Sequence, residues 1–147
     1  MSKKKPRPTP VPAEPIPGLV DAHTHLASCG ARTQEEVDAI VGRALAAGVE
    51  RMCTVGDGLA EAEDALAAAH MHERVFAACA IHPTRALELD DAARARLTAM
   101  AADERCVAVG ETGIDTYWLT HDAEGTAPLE VQEEAFRWHI DLAVESG

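Results

Sequence analysis

From Gly18 onward, short apolar runs alternate with longer segments whose apolar residues recur at helical spacing. Leu19 to His25 predicts a first strand. The segment after it opens with Thr33 and carries Glu36 three residues later, the signature of a capping box. It then aligns Val37, Ile40, Val41, Ala44 and Leu45 on one helical face and stops at Gly48. Arg51 to Val55 predicts a second strand closed by the turn Gly56, Asp57, Gly58, and Leu59 to His72 an alanine-rich helix. Val75 to Ile81 predicts a third strand ended by His82-Pro83, Asp90 or Asp91 caps a third helix through Ala102, and Cys106 to Gly110 predicts a fourth strand. Past a polar stretch containing Gly113 and Gly125, Pro128 opens a fourth helix with Phe136, Ile140 and Ala143 on its apolar side.

The β-α unit therefore occurs four times. Runs apolar on both faces, alternating with amphipathic helices, imply an α/β fold with a parallel sheet and right-handed crossovers. A closed (β/α)8 barrel takes roughly 250 residues. With 147 residues, the chain is expected to form about half of a TIM-type barrel over residues 18–147. Gly147 stands where a helix C-cap glycine belongs, so a fifth strand is expected to follow it, and the chain reads as a truncated or N-terminal piece of such a barrel. Six of the eight prolines fall between Pro6 and Pro17, which predicts that residues 1–17 form a disordered, Pro/Lys-rich arm.

Charge is divided unevenly between these parts. The net charge is -12, with Lys3, Lys4, Lys5 and Arg7 concentrated in the arm, so the body from residue 18 is strongly acidic. Such a field repels polyanions and offers no basic footprint for nucleic acid. Any DNA substrate must be held by something other than surface charge. Cys29, Cys53, Cys79 and Cys106 form no CxxC pair, and the last three lie in or at the start of apolar runs, as buried reduced thiols of a cytoplasmic protein would. Prolines interrupt any secretory h-region, and no apolar run is long enough to span a membrane.

In a strand, residues i and i+2 face the same side, so His23 and His25 project together at the carboxyl end of the first strand. Two neutral imidazoles there could grip Zn²⁺, Mn²⁺ or Fe²⁺, or could simply be hydrogen-bonded surface histidines. Glu111 follows the fourth strand on the same rim, where a carboxylate could bridge two cations or serve as an ordinary loop acid. His82 ends the third strand, facing substrate or standing behind a ligand, unless it merely precedes a Pro83 turn. Asp115 could orient a ligand or cap the next turn, and Asp21 could hydrogen-bond a ligating histidine or neighbouring backbone. His70 and His72 suit a helix end, His121 a polar loop, and His139 beside Trp138 a partner or core surface on the last helix. Cys29 reads as a small thiol, and Gly56, Asp57, Gly58 lacks the lysine and hydroxyl of a phosphate loop.

The blocks DAHTHL at 21–26, AIHPTRA at 80–86 and VAVGETGIDTYW at 107–118, with Gln132, Phe136 and Leu142-Ala143, resemble the TatD family of metal-dependent hydrolases over about residues 19–147. The resemblance implies an amidohydrolase-like TIM barrel whose one or two divalent ions, Mg, Mn or Zn, cleave phosphodiesters in DNA or in a small substrate. It implies His23, His25 and Glu111 as metal ligands, Glu111 bridging. Ala27 stands where an aspartate is common, and Ala80 where a glycine is. The family's later histidines, and the aspartate expected to orient the attacking water, have no counterpart here, so the site is expected to be incomplete. Two other readings follow from the same residues. One is an inactive half-barrel that binds a partner or pairs with itself through the open edges of its first and last strands. The other is an amide or ester hydrolase of the wider amidohydrolase group, which the GETGID block disfavours.

Overall fold

The computed structural model describes residues 9, 11 and 13–147, so the expected disorder of the arm falls largely outside the described residues. Four β-α units follow one another: β1 (Leu19–Thr24), α1 (Gln34–Ala46), β2 (Val49–Val55), α2 (Leu59–Met71), β3 (Val75–Ala78), a 3-10 turn (Pro83–Glu88), α3 (Asp91–Ala101), β4 (Cys106–Ala108), α4 (Thr116–His121) and α5 (Leu129–Ser146). The strands form one parallel sheet in the order β1-β2-β3-β4. No helix among the described residues is long and apolar enough to cross a membrane.

Local chemistry sets the helix ends. The Thr33 side chain accepts from the Glu36 amide, and the Glu36 carboxylate accepts from the Thr33 and Arg32 amides, so the capping box forms as expected. Asp90, rather than Asp91, caps α3 by accepting from Ala93 N at 2.8 Å. Gly48 ends the α1 connection at φ +90, a conformation disfavoured for residues with a Cβ.

The core lies between the sheet and its helices. Val37 and Val41 of α1, Ala62, Ala65 and Ala69 of α2, Val75 and Ala77 of β3 and Leu97 of α3 are all buried in it. The small residues of α2 allow a close approach to the strand: the Cys79 thiol reaches the Ala62 carbonyl at 3.7 Å. All four cysteines are free, with Cys79 buried, Cys53 and Cys106 half-buried and Cys29 exposed. At the sheet's opposite pole the Arg105 guanidinium donates to the carbonyls of Ala69 (3.0 Å), His72 (3.0 Å), Glu73 (2.9 Å) and Val75. It lies 4.5 Å from the centre of the Phe76 ring. One cation thereby closes the end of α2 and the start of β3.

Three expectations need correction. β3 stops at Ala78 and β4 at Ala108: Cys79 N still donates to the Ala108 carbonyl at 3.1 Å, and past it the backbone groups turn to other partners. Ile81 N donates to His139 Nε2 at 3.3 Å, and His82 N donates to the Asp57 carbonyl at 2.9 Å. Burial on both strand faces fails for β1 and β4, where Val20 is 53% and Val107 57% exposed. Leu19 to His23 of β1 are exposed on both faces, and among the described residues the outer edges of β1 and β4 are unpaired. On α5 the buried stripe is Gln132, Ala135, His139 and Leu142, while Ile140 and Ala143 are exposed and Phe136 is half-buried. Two polar residues occupy that stripe because each is fully paired inside it.

His139 shows how. Its Nδ1 faces the Ala135 carbonyl at 2.7 Å and Thr112 Oγ1 at 3.1 Å, while Nε2 accepts from Ile81 N. This pattern suits a neutral ring with its proton on Nδ1. Burial holds the pKa below the ordinary histidine value, aided by the Arg94 cation. The unfolded chain therefore binds the proton more readily. His139 contributes its full stability above the unfolded pKa of about 6.5, and that contribution declines as pH falls toward the lower folded value. Thermal melts between pH 8 and 5.5 should show a drop in Tm that shrinks in His139→Gln.

Candidate metal centre at the sheet rim

The carboxyl ends of the parallel strands form one rim, and the loops leaving them carry the chemistry-bearing side chains. His23 lies in β1, and His25 follows its last residue on the same side. Glu111 comes from the loop after β4. Three side chains converge: His23 Nε2 is 3.2 Å from His25 Nε2 and 3.3 Å from Glu111 Oε2, and His25 Nε2 is 3.8 Å from Glu111 Oε1. One ligand atom from each residue lies within 4.8 Å of the others, a grouping that could hold a metal ion. The set is partly open to solvent, which leaves room for water or substrate at a bound cation. Two imidazole nitrogens and a carboxylate fit Zn²⁺ or Mn²⁺, and Mg²⁺ less well.

Supporting contacts come from β1 itself and from the turn after β2. Asp21 Oδ1 accepts from His23 N at 3.1 Å, pinning the backbone of that histidine. Asp57, in the turn just after β2, places Oδ1 3.8 Å from His25 Nδ1 and lies beside the Glu111 carboxyl. Burial, and after it this contact with Asp57, raises the Glu111 pKa above the ordinary carboxylate value against the lowering influence of His23 and His82. Two acids beside two imidazoles form a donor set whose repulsion a divalent cation would relieve.

Asp57 is the residue that sequence reasoning passed over, dismissed with its glycines as a failed phosphate loop. The available signal was its place at the end of a parallel strand on the same rim. Gly56 presses that turn against α2: a Cβ there would lie 2.2 Å from Glu61 C and 2.5 Å from Ala62 N.

The remaining candidates divide by contact. His82 Nδ1 is bonded to Thr84 Oγ1 at 2.8 Å and accepts from Thr84 N at 3.3 Å, so it caps the 3-10 turn. It also lines, with Glu111, Ile114, Asp115 and Tyr117, a cleft of about 400 Å³. Asp115 Oδ1 accepts from Trp118 N at 3.0 Å and starts α4. His70 pairs with Asp103 at 2.9 Å, His72 accepts from Arg74 N, and His121 stacks on Tyr117; neither they nor Cys29 join the cluster.

The sequence profile of the TatD-related DNase family matches residues 20–147. The chain belongs to the TatD-related DNase family. Within it, the chain is 54% identical over 129 residues to the uncharacterized metal-dependent hydrolase TatD of Mycobacterium tuberculosis, covering 88% of this chain and 48% of that protein. It is 37% identical over 108 residues to the 3'-5' ssDNA/RNA exonuclease TatD of Cronobacter sakazakii, covering 74% of this chain and 39% of the enzyme. Against the deoxyribonuclease Tat-D of Schizosaccharomyces pombe it is 32% identical over 120 residues, covering 75% and 37%. The chain thus spans about half, or less, of the length of these TatD relatives. The crystal structure of a TatD homologue from Escherichia coli k12 superposes with a TM-score of 0.70 at 21% identity, over 87% of this chain and 47% of that one. That likeness shows the shared fold: parallel β/α units forming about half of a TatD-type barrel.

Proposed function

We propose that the chain carries the metal-binding part of a hydrolase that cleaves phosphodiester bonds in nucleic acid, DNA foremost. His23, His25 and Glu111 would hold one or two divalent ions, and Glu111 would be the ligand shared between two. The convergence of their three ligand atoms carries this reading, and the names of the nuclease relatives support it. When bound, such an ion lowers the pKa of a water and neutralises phosphate oxygens. Asp21 steadies the His23 backbone, and Asp57 faces His25 Nδ1, favouring the tautomer that leaves Nε2 free toward the ion. His82 would meet the substrate in the cleft.

The test is end-labelled single-stranded DNA incubated with the protein and Mn²⁺. Slow, EDTA-sensitive shortening is expected, because three donor groups are few for a two-ion site. Loss of shortening in His23→Ala supports the proposal; cleavage indifferent to that change and to EDTA sinks it. Bis(p-nitrophenyl) phosphate should likewise be cleaved in preference to p-nitrophenyl acetate, the opposite order favouring an ester hydrolase.

A second reading rests on the unpaired edges of β1 and β4 and on the exposed Val20 and Val107. Two copies could cover one another there. Light scattering after size exclusion should then give twice the chain mass of 15.6 kDa; a monomer at all concentrations rules this pairing out.

A further inference from the structure

We propose that Tyr117, backed by His121 and flanked by Trp118 on α4, is a stacking subsite that seats an unpaired nucleobase beside the metal centre. This rests on the nuclease reading above and names what that site would grip. The chain has only two Trp, one Tyr and two Phe, yet Tyr117 and Trp118 sit side by side at 58% and 45% exposure. Tyr117 lines the same cleft as Glu111 and His82.

The shelf is held in place before any ligand arrives. The Tyr117 and His121 rings stack with centroids 3.9 Å apart and planes 13° from parallel, and His121 Nδ1 bonds the Tyr117 carbonyl at 2.7 Å. Trp118 meets Tyr117 edge to face at 5.1 Å. Beneath them, fully buried Gln132 of α5 accepts from Asp115 N at 2.7 Å and donates to the Asp115 and Ala127 carbonyls, locking the residue that caps α4. One ring face of Tyr117 is thus covered while the side chain stays largely open, and ordering costs on binding are small.

Charge points to the base rather than the phosphate as what the shelf recognises. No lysine or arginine occurs between Arg105 and Arg137, and the chain carries -12 overall. The arginines in the loops leaving the strands are engaged with acids, Arg32 with Asp64 and Arg85 with Glu61 and Glu88, so apart from an ion held by the cluster little on the rim attracts a polyanion, whereas stacking tolerates any base and needs no cation. Bases locked inside a duplex hide their faces, so the subsite fits single strands.

Fluorescence anisotropy with labelled pentathymidylate, and with the same backbone bearing abasic sites, tests this in Mn²⁺. The base-bearing strand should bind about tenfold more tightly. Tyr117→Ala should erase that advantage without changing abasic binding, and Tyr117→Phe should keep it. Equal affinity for both strands, or a preference that survives Tyr117→Ala, overturns the subsite while metal-dependent binding leaves the nuclease reading standing. Failure of either strand to bind a chain that calorimetry shows to be loaded with Mn²⁺ overturns both.

Discussion

Glu111→Ala should weaken calorimetrically measured Mn²⁺ or Zn²⁺ binding by about a hundredfold or more, among the largest functional effects expected of single changes on the rim. Glu111 supplies the only carboxylate among the three converging ligand residues. Without it two neutral imidazoles remain, each a modest ligand alone. His23→Ala and His25→Ala should each lose affinity to a similar degree, because either leaves a two-atom site. Asp57→Asn keeps the shape beside His25 Nδ1 but removes the charge, and about a tenfold loss is expected, as for partners standing behind a ligand. His70→Ala is the control, since that ring is engaged with Asp103 outside the cluster. Unchanged affinity and stoichiometry in Glu111→Ala would remove it from the ligand set.

Gly56→Ala should produce the largest stability loss at any glycine of the rim, about 3 kcal/mol by denaturant midpoint. The atoms its methyl would strike belong to the backbone of Glu61 and Ala62, at 2.2 and 2.5 Å, and no rotamer change relieves that. The turn from β2 to α2 must open instead, carrying Asp57 away from His25 and Glu111. Metal affinity should therefore fall together with stability. Gly42→Ala makes the contrast: it lies in α1 with nothing within 4 Å of the added methyl, and a gain of about 0.5 to 1 kcal/mol is expected there. Equal stability of the two variants would contradict the tight docking of the β2 turn.

The fold was legible where periodicity and capping agree, as in Thr33 and Glu36 opening α1. It was illegible where burial ran against polarity. Counting apolar residues on α5 selects Phe136, Ile140 and Ala143, whereas the helix buries Gln132 and His139 because their polar atoms find partners in distant loops. The 3-10 turn and α4 are too short to show a period. At the site, the two-residue strand repeat and the end of the fourth strand marked His23, His25 and Glu111, which the structure brings together. Asp115 capped a turn, as one of its two readings held. Asp57 was missed because its importance depends on how the β2 turn leans over the rim, a tertiary fact with no local motif.

The placement of Arg105 bears on how variants of this protein can be interpreted. Its four carbonyl contacts secure α2 and β3 at the end of the sheet away from the histidines and Glu111. Cohesion and the candidate metal centre thus lie at opposite poles, an arrangement familiar in barrels of parallel strands. Exposed rim side chains such as His23 or Tyr117 can be altered with the scaffold still anchored below them. A loss of binding in those variants then reports on recognition itself, free of the ambiguity that accompanies a collapsing fold.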